Sequence, residues 1–257
     1  LAMLLPVSIS ILFSNIGTVA KALTATLSVL GSIVLVLTLS RSGWLSFAFA
    51  FITILMATFV RPQIRKRYVF GRVAMIVGAF VLAIAMSGPI VKRITESDSG
   101  AVSFRWEWME GATRMIMDKP VLGFGLNSFV WFMPPYTDYK SYSGVVDKFG
   151  TDLPVVHNIY LLVWAEQGTV GLIIFLIFYF GLIRMAWRGV YSYHNRFLAM
   201  VNIGCLGGLV ALAADGMASF FIRNGNCGRI FVMIAALVIA IDYWHRANPR
   251  RTLHATV

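Results

Sequence analysis

Three polar positions in a largely apolar sequence have side chains that could carry chemistry. Arg41 lies in the turn 40–44, SRSGW, Arg105 lies in a tryptophan-rich stretch, and His157 begins the stretch 157–160, HNIY. A guanidinium binds a phosphate group through two parallel hydrogen bonds. An imidazole with a near-neutral pKa can act as a general base. These residue types therefore favour a site that binds phosphate and contains a base.

Each of these positions also has an ordinary structural interpretation. Arg41 could be an anchor that reaches from the membrane edge into water. Arg105 could form an ion pair on a helix surface or anchor an interfacial helix, although residues two apart, such as Arg105 and Glu107, do not face each other on a helix. His157 could be a structural donor at a helix start. The sequence alone leaves both interpretations open.

Membrane-spanning helices are the elements that must position these side chains. Hydrophobic residues make up 58% of the 257 residues and charged residues 13%, against roughly 25% charged residues in soluble chains. Seven apolar segments approach the length of about 20 residues that crosses a bilayer. They cover approximately residues 2–20, 22–39, 43–60, 70–91, 158–183, 197–222 and 229–244.

The predicted fold is an all-α, polytopic transmembrane helix bundle with one long exported loop. We expect residues 1–257 to form a single membrane domain. The chain begins at Leu1, inside an apolar stretch, and we expect further spans to precede it. No signal peptide is recognisable at its start.

Alternate connectors between the apolar segments are rich in Lys and Arg, which predicts that they are cytoplasmic. The opposite side then receives the turn at Arg41, the loop 92–156 and the turn 223–229. The loop contains seven Lys or Arg residues and eight Asp or Glu residues. It is nearly neutral, as an exported loop should be.

The exported loop contains one predicted helix. Between residues 104 and 117 the apolar positions recur at helical spacing, and Pro120 limits the helix because the residue before a proline avoids the α region. The glycines of 123–125 predict a turn, and 136–153 is expected to be irregular.

Two features of the spans are also predicted. The fifth segment contains Glu166 and Gly168, which indicate a bend. Gly204 and Gly208 form a GxxxG pair, which favours close helix packing. Glu166 and Asp215 are ionisable groups within spans, where such groups have either a functional or a packing role.

The sequence contains no metal-ligand cluster, P-loop, nucleophile elbow or Rossmann fingerprint. We therefore expect no metal and no cofactor. The formal charge of +11 is explained by basic residues at the membrane-facing ends, and we expect no nucleic acid partner.

Taken together, these stretches resemble the O-antigen ligase and polymerase family of bacterial envelope proteins. The resemblance covers roughly residues 20–185 and rests on the order and spacing of its motifs. The matching positions are SRSGWL at 40–45, Arg105, Trp108, Asp118-Lys119-Pro120, Gly123-Phe124-Gly125, Phe129, HNIYL at 157–161, Glu166, Gly168 and Gly171.

The resemblance implies a glycosyltransferase of the bacterial inner membrane, with its active site on the periplasmic side. Such an enzyme moves a glycan from undecaprenyl diphosphate to an acceptor, with the lipid A core as first choice. A glycan repeat (polymerase) or a protein hydroxyl (O-oligosaccharyltransferase) is the alternative acceptor. The loop 92–156 would then be periplasmic.

The resemblance also implies roles for individual residues. Arg41 and Arg105 would stabilise the diphosphate, and His157 would accept the proton of the acceptor hydroxyl. The substrate-binding residues that we predict are Arg41, Arg105, Arg114, Asn158 and Tyr160.

A transporter or flippase of a lipid-linked substrate is the rival interpretation. It predicts essential charges in mid-bilayer, whereas the polar residues of this chain crowd the exported face. A purely structural membrane subunit is the third interpretation, and it predicts that Arg41 tolerates substitution as well as Arg65 does.

Overall fold

The computed structural model describes residues 1–61, 99–137, 155–220, 223 and 225–248. For residues 99–104 it describes the backbone only. The described residues form helices and turns and contain no strand, which confirms the all-α prediction. In chain order the helices are α1 (Leu5–Ile11), α2 (Thr18–Leu37), α3 (Arg41–Val60), α4 (Ser99–Asp118), α5 (Phe129–Phe132), α6 (Ile159–Ser192), α7 (Arg196–Asp215) and α8 (Gly225–Ala247).

Five of the described helices are long and apolar enough to cross a membrane, namely α2, α3, α6, α7 and α8. The first predicted segment, 2–20, is not one helix: α1 has seven residues and ends at Ile11. The next helix starts at Thr18, after Gly17 in an extended conformation. The predicted segment 70–91 lies outside the described residues.

The chain divides into two compact units. The first contains residues Leu1–Glu96, Gly181–Asp215 and Arg229–Val257, and the second contains Ser97–Phe180 and Gly216–Gly228.

Helix α7 is more deeply buried than the other described spans, and it packs against α1 and α3. Its GxxxG pair explains the close packing. A side chain at Gly204 would collide with the backbone of Val7, and a Cβ at Gly208 would lie 2.7 Å from the carbonyl oxygen of Met3. The predicted packing role of these glycines is confirmed.

Connectors that were predicted to share one side meet in the first unit. The buried guanidinium of Arg61, just after α3, donates to the backbone carbonyls of Val190 and Tyr193 at the end of α6. Burial and the nearby charge of Arg196, at the start of α7, lower the pKa of Arg61 to about 10. The Tyr193 hydroxyl donates to Asp242 near the end of α8, at 3.3 Å. The ends of α3, α6 and α8 and the start of α7 therefore lie together, as expected if successive spans alternate in direction.

In the second unit, α4 has the predicted amphipathic pattern. Trp108, Ala112 and Met115 are buried, while Glu110 and Arg114 are exposed. The helix ends at Asp118, two residues before Pro120, as expected. The side chain of Phe104 and the irregular stretch 138–153 lie outside the described part of the chain.

Candidate functional site

Asn158 fixes the point at which α6 begins. Its side-chain oxygen accepts hydrogen bonds from the backbone N–H groups of Tyr160 and Leu161, at 3.0 and 3.1 Å, which is the geometry of a helix N-cap. Its amide nitrogen donates to the carbonyl oxygen of Met217 at 3.3 Å. The N–H of Ile159 donates to the carbonyl of Gly216 at 2.8 Å. Asn158 therefore joins the start of α6 to the segment 216–220.

This junction holds His157 between two aromatic rings. The imidazole stacks on the indole of Trp108, with centroids 5.8 Å apart and planes inclined by 19°. The ring of Phe220 meets it edge-on, with centroids 4.9 Å apart. Nδ1 of His157 is buried and has no hydrogen-bond partner among the described residues. The ring is therefore packed in place by apolar surfaces.

The surroundings of His157 favour its neutral form. Burial lowers the pKa of its imidazole, and the positive charge of Arg105 lowers that pKa further, against a smaller opposing effect from the backbone of Val155. Burial disfavours the charged form of histidine, and so does a neighbouring cation. Arg105 and His157 both lie in the second unit, and Arg105 is near enough for its charge to act on the imidazole.

Helix α6 is bent at Gly168, as predicted. Gly168 has φ 66° and ψ −172°, a conformation that is essentially restricted to glycine. The bend exposes backbone groups that pair with the segment after α4. The N–H of Thr169 donates to the carbonyl of Pro120 at 2.8 Å, and the N–H of Gly125 donates to the carbonyl of Glu166 at 2.7 Å. Gly123, with φ 67°, lies so close that a Cβ would be 2.5 Å from the carbonyl oxygen of Glu166.

The carboxylate of Glu166 also binds the segment that follows α4. Its two oxygens accept hydrogen bonds from the backbone N–H groups of Asn127 and Phe129, at 3.0 and 2.9 Å. Nη2 of Arg223 forms an ion pair with Oε1 at 2.9 Å. Glu166 is buried, so these partners compensate its charge. In this structure Glu166 positions the segment 125–129.

The other predicted binding residues are placed as follows. Arg114 is exposed, pairs with Glu110 at 2.5 Å, and lines a polar cleft of about 450 Å³ with Glu107, Glu110, Tyr136 and Thr137. Tyr160 is the second residue of α6, and its ring centroid lies 6.3 Å from that of Phe175. Substrate contact by Arg114, Asn158 and Tyr160 stays a prediction.

Arg41 belongs to the first unit. It is the first residue of α3 and is exposed. Ser40 caps that helix, since its side chain accepts a hydrogen bond from the N–H of Gly43 at 3.2 Å. That Arg41 acts in one site with Arg105 and His157 therefore stays a prediction.

Arg223 and Phe220 contribute to this region and were not predicted to do so. Both follow α7 and lie more than 50 residues along the chain from Glu166 and His157, respectively. The one available signal was the position of Arg223 on the exported side, where the positive-inside rule does not call for an arginine. Among the described residues, no group of three His, Cys, Asp or Glu side chains is placed to hold a metal ion.

A family model described as O-antigen ligase matches residues 26–176, more than half of the chain. The matched range includes Arg41, Arg105, His157, Glu166 and Gly168. A search of curated proteins found no match.

Proposed function

The chain belongs to the O-antigen ligase family, and from this premise we propose that it moves a glycan from undecaprenyl diphosphate to the lipid A core at the periplasmic face of the inner membrane. Membership of the family supports a membrane protein that transfers glycans. The donor, the acceptor and the face are our proposal. The alternative acceptor is a glycan repeat or a protein hydroxyl, and it would react in the same way.

The observation that carries the proposal is the state of His157. A general base must be uncharged before it accepts a proton. Packing between Trp108 and Phe220, together with the charge of Arg105, lowers the pKa of His157 and so favours the neutral imidazole.

In the proposed reaction, the acceptor hydroxyl oxygen attacks the anomeric carbon of the donor sugar. The new carbon–oxygen bond forms as the bond from that carbon to the diphosphate oxygen breaks, and the hydroxyl proton moves to His157. The leaving diphosphate gains negative charge, which Arg105 and Arg41 would stabilise as preorganised cations. Direct displacement inverts the configuration at the anomeric carbon.

The test is a transfer assay with full-length purified protein, a lipid-linked glycan donor and lipid A core. We expect Arg41→Ala and Arg105→Ala each to lower the turnover number by about 100-fold or more, the range found when one stabilising donor is removed. Arg188→Ala is the matched control, because Arg188 is an exposed arginine of α6 on the predicted cytoplasmic side. Turnover near wild type in both arginine variants would contradict the proposal.

A further inference from the structure

A cleft of about 520 Å³ lies in the second unit, beside the ion pair of Glu166 and Arg223. Its polar lining consists of Asn127, Glu166, Gln167 and Arg223, and its apolar lining includes Leu126, Ile174, Phe175 and Phe178. This volume falls within the roughly 300–1,000 Å³ of small-molecule sites. The cleft does not include His157 or Arg105.

The polar and apolar parts of the cleft are displaced along α6. Ile174 comes eight residues after Glu166, on the other side of the bend at Gly168. Ile174 is 62% exposed and Phe178 is 49% exposed. Helix α6 is long and apolar enough to cross a membrane, and we infer that these exposed apolar side chains face lipid. The cleft therefore joins a polar pocket to a lipid-facing surface, and this shape fits an amphiphile.

Arg223 determines which head group fits the polar part. Its Nη2 is occupied by Glu166 and by the side-chain oxygen of Asn127. Its Nη1 is buried and has no hydrogen-bond partner among the described residues. A buried, unpaired donor is costly, and such groups in native proteins call for an explanation such as a ligand. The fork of a guanidinium matches the oxygens of a phosphate.

The neighbouring carboxylate does not prevent an anion from binding. Glu166 already accepts two backbone N–H groups and pairs with Arg223. Its charge is compensated by these three donors, whereas Nη1 of Arg223 has no hydrogen-bond partner in the described part of the chain. Among the described groups at this end of the cleft, the donor that lacks a partner is therefore cationic.

We propose that the cleft binds a lipid phosphate, with the phosphate on Arg223 and the start of its hydrocarbon chain along Ile174, Phe175 and Phe178. This site is separate from the diphosphate-binding role proposed for Arg41 and Arg105. A polyprenyl phosphate and a bilayer glycerophospholipid share the required chemistry, and free phosphate lacks the chain. Binding here does not use His157, so it does not depend on the transfer reaction.

The experiment measures binding to detergent-solubilised full-length protein by native mass spectrometry. The probes are farnesyl phosphate, dihexanoyl phosphatidylglycerol and inorganic phosphate. The variants are Arg223→Gln, Arg223→Lys and Ile174→Gln. Arg229→Gln is the matched control, because Arg229 is an exposed arginine six residues further along the chain. His157→Ala is included to separate binding from catalysis.

We expect Arg223→Gln to weaken binding of the lipid phosphates at least tenfold, Arg223→Lys to weaken it less, and Arg229→Gln and His157→Ala to leave it unchanged. Ile174→Gln leaves the ion pair intact and should also weaken binding, which keeps the test decisive if Arg223→Gln fails to fold. Tighter binding of one lipid phosphate identifies the source of the ligand and supports the proposal. Unchanged affinity in Arg223→Gln and Ile174→Gln, or inorganic phosphate binding as tightly as the lipids, would overturn it.

Discussion

The imidazole of His157 stacks on the indole of Trp108, with their ring centroids 5.8 Å apart. Trp108 lies on α4, and the same helix carries Arg105 three residues earlier. One helical turn therefore supplies both an apolar cover and a positive charge to the histidine. Each of these influences lowers the pKa of the imidazole, and each can be removed separately.

Removing the charge tests the electrostatic part of this relationship. With Arg105→Gln we expect the pKa of His157 to rise toward its ordinary value of about 6.5. A base that is protonated at a higher pH loses activity earlier on acidification, so the acidic limb of kcat/KM should move to higher pH. A pH profile of the residual transfer activity measures this shift.

The control for that profile is Lys119→Gln. Lys119 is a cation of the same unit, with Nζ 4.6 Å from the centroid of Phe124, and its charge is not among the influences on His157. The acidic limb of kcat/KM in Lys119→Gln should match that of the wild type. An unmoved limb in Arg105→Gln would show that the arginine does not tune the histidine.

Glu166→Gln tests the clamp on the segment 125–129. The neutral amide removes the ion pair with Arg223. In the wild type the carboxylate accepts hydrogen bonds from two backbone N–H groups, and in the variant an NH₂ group would face one of them. Removing one partner of a buried ion pair lowers the stability of a protein by about 3–5 kcal/mol. The free energy of unfolding in detergent should fall by about that amount.

A double-mutant cycle separates this pair from general damage. In Glu166→Gln/Arg223→Gln neither buried charge is left alone, so the combined loss should be smaller than the sum of the single losses. Additive losses would mean that the two side chains act independently.

Gly168→Ala tests the bend in α6. The backbone there has φ 66° and ψ −172°, and a Cβ would meet the backbone of Val121 and lie 2.5 Å from the nitrogen of Leu122. The strain alone is worth about 1–3 kcal/mol, and we expect a loss of at least 2 kcal/mol in the free energy of unfolding.

The same helix offers a matched substitution at Gly181. A Cβ at this position meets nothing within 4 Å, so Gly181→Ala should stabilise the helix by about 1 kcal/mol through its better helix propensity. Equal effects of the two substitutions would show that the bend at Gly168 is not required.

The parts of the fold that could be predicted are those governed by local sequence. The periodicity of α4, its end before Pro120 and the bend at Gly168 follow from spacing and from the backbone preferences of proline and glycine. The contact of Gly123 with Glu166 could not be predicted, because it joins backbone atoms 43 residues apart in the sequence. The pairing of Glu166 with Arg223 is likewise long-range and has no local signature.

The site shows the same division. His157 and Arg105 were predicted from residue type and from the resemblance; the charge of Arg105 acts on the imidazole of His157, and their roles stay predictions. Asn158 was predicted to bind substrate, and the structure shows its side chain capping α6. An asparagine directly before an apolar run is also a helix-start signal, so the sequence alone could not separate the two roles. Phe220 was not predicted because nothing near it in the sequence indicates a neighbouring histidine.

The most direct test of the central claim is the rate of glycan transfer by His157→Ala, measured with folded, purified full-length protein across a range of pH. We predict that turnover falls by about 100-fold or more, in line with the contribution of a general base. We also predict that the acidic limb assigned to His157 disappears from the residual activity. Near wild-type turnover with an unchanged pH profile would contradict the account and remove the histidine from the mechanism.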